Sequence, residues 1–196
     1  MNTVADPLRI ALLGNPNCGK TALFNLLTGS RQKVANYAGV TVERKEGSFE
    51  LASGQRIRVL DLPGAYSLNA LSLDETITRD VVLGVKEGEP RPDLLVCVTD
   101  ATNLRLNLRL VVEAKRLGLP MVLALNMADV ANKRGMRIDA AALERELGMP
   151  VVQTVAVRRG GADALLGIIQ AHLSDRALQA APWKAPDVED VGATQR

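Results

Sequence analysis

Residues 14–21 read GNPNCGKT and directly follow a run, residues 8–13, that is apolar except for Arg9. They match Gly-x-x-x-x-Gly-Lys-Ser/Thr without a mismatch, in a context that predicts a strand before them and a helix after them. Glycines let the backbone curl until its N–H groups point inward at an anion, and the helix N-terminus adds partial positive charge. Lys20 supplies a charge for the β- and γ-phosphates, and Thr21 a hydroxyl for Mg²⁺. A turn that merely joins a strand to a helix would not account for the Lys-Thr pair at the expected spacing. We therefore expect a phosphate-binding loop.

Composition and charge exclude several classes of protein. The chain has 196 residues, enough for one domain, and its net charge of +2 comes from acids and bases mixed along the chain, which argues against a nucleic-acid partner. The only cysteines are Cys18 in the loop and Cys97 in an apolar run, so a reducing compartment is expected. No leader and no membrane-spanning apolar run is evident. We therefore expect a soluble, cytoplasmic chain.

Short apolar runs alternate with helical patterns, which predicts parallel strands joined by crossover helices. Strands are predicted at 8–13, 48–51, 56–61, 94–100, 121–126 and 150–155. Helices are predicted at 20–27, 104–117, 139–147 and 162–173. Periodicity fades after residue 173, and residues 174–196 are predicted to form a linker or extension.

Two local signals refine this pattern. Ser53-Gly54 joins two of the predicted strands and is a hairpin signal, so one strand should lie antiparallel at the edge of the sheet. Ser72-Leu-Asp-Glu75 has the form of a capping box and predicts a further helix in the long connection after residue 61.

Two tetrapeptides at predicted strand ends indicate a nucleotide and its base. Asp61-Leu-Pro-Gly64 has the Asp-x-x-Gly form that orders Mg²⁺ through a water and presents a glycine amide to the γ-phosphate. The carboxylate of Asp129, in Asn126-Met-Ala-Asp129, can accept hydrogen bonds from N1–H and the 2-amino group of guanine. Adenine would leave that carboxylate unpaired, at a cost of about 1–3 kcal/mol. The base should be guanine, and an ATPase stays open only if the Asp129 argument fails.

Two weaker motifs complete the order of motifs along the chain that is expected of a GTPase. Thr41, shortly after Gly39, lies where a second hydroxyl for Mg²⁺ is expected. Thr154-Val155-Ala156 ends the last predicted strand, where a small residue offers its N–H to the guanine 6-oxo group. Together the motifs predict a P-loop GTPase, an α/β three-layer fold with a mostly parallel sheet, one antiparallel edge strand and helices on both faces.

The chain also resembles a known family, the GTPase domain at the N-terminus of the FeoB ferrous-iron transporters. The resemblance is carried by GNPNCGKTALFNLLTG, NYAGVTVERKEG, DLPGAYSLNALSLDE and NMAD, and it covers residues 8–173. It implies GTP binding and hydrolysis that regulate ferrous-iron transport across a bacterial inner membrane. The domain would lie at the cytoplasmic face, with the membrane transport domain of the same full-length protein as its partner.

The resemblance also implies a domain order. Residues 1–173 would form the G domain, and the helical second domain of the family would be absent or reduced to residues 174–196. The last helix could instead dock on a neighbouring copy and give a homo-oligomer. A free-standing assembly or signalling switch is the alternative to a transporter domain.

The motifs and the resemblance assign the candidate site. Catalytic roles are expected of Asn17, Lys20, Thr41 and Gly64, and Mg²⁺ ligation of Thr21, Thr41 and Asp61. By resemblance to potassium-activated GTPases, Asn17 would also ligate K⁺. Residues expected to contact GTP or GDP are Gly14, Asn15, Pro16, Asn17, Cys18, Gly19, Lys20, Thr21, Ala22, Gly39, Thr41, Asp61, Gly64, Asn126, Met127, Asp129, Thr154, Val155 and Ala156.

Several positions depart from the patterns of related proteins. Tyr37-Ala38 stands where family members often carry Trp-Pro, and Met127 where most GTPases place Lys. Ala65 stands where many GTPases carry the Gln that orients water, so hydrolysis would depend on main-chain groups. Cys18 replaces the usual Ser or Ala. Beside Lys20 and a helix N-terminus, it is expected to be a reactive thiolate that nucleotide protects, provided that its sulfur is exposed.

Overall fold

A seven-stranded sheet forms the centre of the computed structural model, which describes residues 7–29 and 31–178. The strands are β1 (Leu8–Gly14), β2 (Gln32–Asn36), β3 (Glu43–Glu50), β4 (Arg56–Asp61), β5 (Leu94–Asp100), β6 (Met121–Asn126) and β7 (Val151–Gln153). They lie in the order β2-β3-β4-β1-β5-β6-β7. Among these described strands, β3 runs antiparallel to both β2 and β4, and the other neighbouring pairs are parallel. The mostly parallel α/β sheet is therefore confirmed.

Helices cover both faces of the sheet. They are α1 (Lys20–Thr28), α2 (Leu73–Leu83), α3 (Leu104–Lys115), α4 (Ala128–Lys133), α5 (Ala140–Leu147) and α6 (Asp163–Leu178). Ile10 and Leu12 of β1 pack with α1 and α6, whereas Ala11 and Leu13 pack with α2 and α3. Alternate residues of a strand point to opposite faces, so a strand buried on both faces needs the continuous apolar run that β1 has.

Most of the predicted elements are confirmed, with small shifts of their bounds. β4, β5 and β6 have the predicted bounds. The Ser72 hydroxyl accepts a hydrogen bond from the Glu75 N–H at 3.2 Å and caps α2, as the capping-box pattern predicted. Helix α6 runs to Leu178. Residues 179–196 of the predicted extension lie outside the described residues, and the division at residue 173 stays a prediction.

The sequence pattern did not predict β2 or the first half of β3. Residues 33–36 of β2 are exposed, and residues 43–46 of β3 are all charged, so neither segment shows apolar alternation. Ion pairs stabilise this edge instead, because Arg44 pairs with Glu46 and Glu89, and Arg58 pairs with Glu46. β2 therefore forms the edge of the sheet, and the predicted antiparallel strand, β3, lies next to the edge instead of at it. Residues 37–42 form the β2–β3 loop.

Candidate nucleotide-binding site

The carboxyl ends of the strands bring the predicted motifs to one edge of the sheet. Gly14 ends β1, Asp61 ends β4 and Asn126 ends β6. Strand register places Leu12 beside Asp61, and Thr154 comes directly after β7. Open α/β sheets bind their ligands at this edge. The fold therefore places motifs that are far apart in sequence within one candidate site.

Close contacts require glycine at both ends of the phosphate loop. Gly19 has a φ of 83°, and a Cβ there would lie 2.2 Å from Nδ2 of Asn126. A Cβ on Gly14 would lie 2.5 Å from the carbonyl oxygen of Val98. Asn17 is exposed and also has a positive φ, of 65°. The loop thus curls tightly and leads into α1, whose first N–H groups have no acceptor within the helix.

A polar cluster lies where the phosphate loop meets the end of β4. The Lys20 ammonium group forms an ion pair with Asp61 Oδ1 and donates a hydrogen bond to the carbonyl oxygen of Leu62. The Thr21 hydroxyl donates to Asp61 Oδ2 at 3.1 Å. Lys20 and Asp61 are both buried, which their pairing allows. The adjacent hydroxyl and carboxylate form an oxygen donor set that suits Mg²⁺.

One buried side chain of the loop lacks a protein partner. Asn15 is 4% exposed, yet its Oδ1 and Nδ2 have no hydrogen bond among the described residues. A buried polar group left unpaired costs about 1–3 kcal/mol. An unpaired amide beside curled main-chain N–H groups therefore fits a loop that binds a polar ligand.

Asn126 ties together three segments at the base end of the site. Its Nδ2 donates to the carbonyl oxygen of Cys18 at 3.0 Å, which joins β6 to the phosphate loop. Its Oδ1 accepts hydrogen bonds from the Thr154 hydroxyl at 3.3 Å and from the Ala156 N–H at 3.0 Å. A main-chain N–H of residues 154–156 was expected to bind the guanine 6-oxo group. In this structure the N–H of Ala156 donates to Asn126 instead.

The Asp129 carboxylate of the same motif has no partner in the described part of the chain. Asp129 lies in the first turn of α4 and is partly buried. Its carboxylate has no hydrogen bond or ion pair with any described residue. Met127 precedes α4 with a φ of 60°, and its methyl group lies 3.6 Å from the place of a Cβ on Gly19. Asp129 can therefore accept two donors of a base edge beside the phosphate loop.

The predicted γ-phosphate end is less completely assembled. Gly64 lies against the phosphate loop, where its Cβ would be 3.1 Å from Pro16, and the next residue, Ala65, donates its N–H to the Gly14 carbonyl at 3.2 Å. Thr41 is exposed in the β2–β3 loop, and its side chain has no hydrogen bond with Asp61 or any other described residue. Gly64 thus lies beside the phosphate loop, whereas Thr41 forms no hydrogen bond with the other predicted Mg²⁺ ligands.

Burial contradicts the expected reactivity of Cys18. The residue is 1% exposed, and burial raises the pKa of its thiol to about 11, outweighing the hydrogen bond from the Lys20 main chain and the Lys20 charge. The sulfur is therefore not exposed, and the condition for a reactive thiolate is not met in this structure. The sequence indicated the positive neighbours, but it could not show that the sulfur points into the core.

A curled Gly-Lys-Thr loop, an Asp-x-x-Gly strand end and an Asn-x-x-Asp motif at one edge of this sheet define a P-loop GTPase domain. Within that class, the family model described as ferrous iron transport protein B matches residues 8–169. The chain belongs to this family. The fold expected from the sequence and the resemblance are both confirmed.

Curated relatives are considerably longer than this chain. The chain is 46% identical over 189 residues to the Fe(2+) transporter FeoB of Salmonella choleraesuis (strain SC-B67), an alignment that covers 94% of the chain and 24% of the relative. It is 45% identical over 183 residues to that of Escherichia coli (strain K12), with 91% and 23% covered. The chain thus spans about a quarter of the length of these transporters.

Solved structures show the same fold at similar identity. The G domain of T. maritima FeoB is 41% identical, with a TM-score of 0.75, and the match covers 86% of this chain and 99% of that one. The cytosolic domain of T. maritima FeoB in its GMPPNP form is 39% identical, with a TM-score of 0.78, and the match covers 93% of this chain and 70% of that one.

Within residues 7–29 and 31–178, no helix has both the length and the apolar character that a membrane span requires.

Proposed function

We propose that this chain binds GTP and GDP with Mg²⁺, hydrolyses GTP and thereby regulates ferrous-iron transport across a bacterial inner membrane. The observation that carries the proposal is the unpartnered Asp129 beside the network of Asn126. Relatives solved in GDP and GMPPNP forms support a guanine nucleotide. Curated relatives that are Fe(2+) transporters support a role in the cytoplasm, next to the membrane domain of a longer protein.

Each part of the site then has a chemical role. Asp129 accepts two hydrogen bonds from guanine, while the flexible Met127 side chain covers the base. Main-chain N–H groups of residues 14–22 bind phosphate oxygens, and Lys20 exchanges Asp61 for the β- and γ-phosphates. Thr21 and Asp61 hold Mg²⁺, which when bound neutralises charge on the transferring phosphoryl group.

Hydrolysis in this site depends on main-chain groups. Ala65 has no side-chain atom that can orient a water, so the N–H of Gly64 and its neighbours must position the γ-phosphate and the attacking water. Thr41 must approach Thr21 and Asp61 to complete the Mg²⁺ ligands. We infer that the β2–β3 loop, with Gly39 and Thr41, moves toward the phosphate loop during the reaction cycle.

The nucleotide proposal is tested by phosphate release from GTP and from ATP with the full chain. We expect Mg²⁺-dependent turnover of GTP, with ATP neither hydrolysed nor able to compete. Lys20→Ala should lower affinity for GTP by at least about 100-fold, because two phosphates lose their charged donor. The matched control is Lys133→Ala on an exposed face of α4, which should bind like wild type. Equal competition by ATP would refute the proposal.

Potassium provides a second test of the catalytic site. Asn17 is exposed in the phosphate loop, and by resemblance to potassium-activated GTPases we propose that K⁺ held by Asn17 supplies positive charge beside the β- and γ-phosphates. Turnover at saturating GTP should be faster in K⁺ than in Na⁺ at equal ionic strength, and Asn17→Ala should abolish the difference. Identical wild-type rates in both salts would exclude this mechanism.

The proposal for the whole protein is tested in cells. We propose that residues 1–173 act as the G domain of a longer transporter, with residues 174–196 as a C-terminal extension or linker, and that the domain can form a homo-oligomer. Ferrous-iron uptake by the full-length protein should fall with Lys20→Ala and be unaffected by Lys133→Ala. Normal uptake with a domain that no longer binds GTP would contradict a regulatory role.

A further inference from the structure

Two carboxylates from different helices hold the segment that follows Gly64, residues 65–72. The first is Glu75 of α2, which is 8% exposed. Its Oε1 accepts hydrogen bonds from the N–H groups of Tyr66 at 3.2 Å and Ser67 at 3.3 Å, and its Oε2 accepts one from Leu71 at 3.1 Å. Because Glu75 lies only a few residues beyond the segment, these bonds fix its shape relative to α2.

The second carboxylate is Glu113 of α3. Its Oε2 accepts hydrogen bonds from the Ser67 hydroxyl and from the Leu68 N–H, both at 2.8 Å. Burial alone would raise the pKa of Glu113, but the hydrogen bonds from Leu68 and Ser67 and the contact with Arg109 outweigh it and lower the pKa. Arg109 is largely exposed. The carboxylate is therefore ionised and serves mainly as an acceptor for residues 67 and 68.

The position of Glu113 gives it a different role from Glu75. Its neighbours Leu110 and Ala114 are buried against the sheet, so α3 is fixed in the core. A bond to Glu113 consequently fixes the 65–72 segment relative to the sheet. More than forty residues separate Glu113 from Ser67, and no local sequence pattern indicates such a contact.

The same segment is attached to the phosphate loop at its other end. Ala65 donates its N–H to the Gly14 carbonyl at 3.2 Å, and the Thr78 hydroxyl of α2 donates to the Pro63 carbonyl at 3.0 Å. Only Tyr66 separates Ala65 from Ser67. A shift at Ser67 is therefore transmitted within two residues to the main chain at Gly64 and Ala65.

We propose that Glu113 is a positioning residue for GTP hydrolysis, acting through Ser67 and Leu68 on the main chain at Gly64 and Ala65. This inference rests on the proposed function, because it concerns the rate of that reaction. Ala65 supplies no side-chain atom to correct a displaced water, so the rate should depend on how firmly this backbone is held. Nucleotide affinity, which depends on the phosphate loop and Asp129, should not depend on Glu113.

The first test separates kcat from binding. Glu113→Ala in the full chain should lower kcat at saturating GTP by about tenfold. This is less than the full contribution of two hydrogen bonds to a charged acceptor, because Glu113 acts on the reacting groups only through Ser67 and Leu68. The affinity for GDP should stay within about twofold of wild type. Glu113→Gln keeps an acceptor oxygen without the charge and should give an intermediate kcat. The matched control is Glu146→Ala on the exposed side of α5.

A double-mutant cycle tests the route of the effect. Ser67→Ala should lower kcat by less than Glu113→Ala, and the double variant should resemble Glu113→Ala because the Ser67 bond is already lost. Fully additive losses would show that Glu113 does not act through Ser67. Unchanged kcat in folded Glu113→Ala, or an equal loss of GDP affinity, would overturn the inference.

Hydrogen exchange distinguishes failure of this inference from failure of the proposed function. Peptides that cover residues 65–72 should exchange faster in Glu113→Ala than in wild type, while peptides from β5 and β6 should be unchanged. Absence of GTP turnover in wild type would refute the proposed function. Unchanged exchange of residues 65–72 would refute the role of Glu113, whatever the turnover.

Discussion

The base end and the γ-phosphate end of the candidate site are held in different ways. At the base end, Asn126 is 2% exposed, and its amide joins β6 to two other segments, the phosphate loop and residues 154–156. At the γ-phosphate end, Thr41 is exposed on a loop, and its side chain contacts none of the other predicted Mg²⁺ ligands through a hydrogen bond in the described structure. Recognition of the base is thus built into the folded core, whereas the chemistry depends on segments that must come together.

The attachment of the β2–β3 loop shows why it can move. Tyr37 is 2% exposed and packs in the core cluster that includes Leu62 and Ala65, but its hydroxyl has no hydrogen bond among the described residues. Lys86 donates a hydrogen bond to the Ala38 carbonyl at 3.2 Å from an exposed position. Burial of the Tyr37 ring therefore stabilises this position of the loop, whereas its unpaired hydroxyl destabilises it. The unpaired hydroxyl therefore lowers the free energy with which burial holds the loop in this position.

The largest effect is expected at the base end, from Asn126→Ala. This change leaves the Cys18 carbonyl, the Ala156 N–H and the Thr154 hydroxyl without their partner. Each buried unpaired group costs about 1–3 kcal/mol, so we expect a marked fall in thermal stability and at least a 100-fold loss of GDP affinity. Calorimetric titration and thermal unfolding measure the two effects.

Asn132→Ala provides the control for that change, because Asn132 is exposed on α4, a few residues away. It should bind GDP like wild type. If Asn126→Ala retained both stability and affinity, the base end would not be the rigid half of the site.

A smaller and more selective effect is expected from Asp129→Asn. Its carboxylate has no hydrogen bond or ion pair with a described residue, so the change should leave the fold intact while replacing an acceptor of two guanine donors by an amide. We expect GTP affinity to fall by about 10- to 100-fold and affinity for xanthosine triphosphate to rise, because its 2-oxo group accepts from the new amide. Unchanged preference for GTP in competition titrations would contradict the assignment of Asp129.

Elements that bury apolar residues were predictable from the sequence. Apolar runs of β1, β5 and β6 and the capping box before α2 are local signals that agree with the final packing. The phosphate loop, Asp61 and Asn126 were predictable because their motifs carry their own chemistry. Asp61 and Asn126 are also buried in the folded protein.

The features that escaped prediction depend on distant contacts. β2 and the start of β3 lack apolar alternation, since charge pairs such as Arg44 with Glu89 stabilise them. Helix α4 is six residues long and contains Asp129 and Asn132, which are weak helix formers. Burial of Cys18 and of Tyr37, and the bonds from Ser67 to Glu113, follow from packing between elements. Most of the missed features belong to the γ-phosphate end.

The smallest effect is expected from Tyr37→Phe, which tests the attachment of the β2–β3 loop. Burial raises the pKa of the Tyr37 hydroxyl, so it stays protonated and has a donor without an acceptor. Removing it should stabilise the folded protein by about 1 kcal/mol, seen as a higher Tm in GDP. If the loop must leave this position for Thr41 to reach Mg²⁺, the same change should weaken binding of a non-hydrolysable GTP analogue by a few-fold relative to GDP. Tyr66→Phe is the control, because Tyr66 is 52% exposed and should change neither quantity. A loss of stability in Tyr37→Phe would mean that its hydroxyl is paired, and the loop would then be held as firmly as the base end.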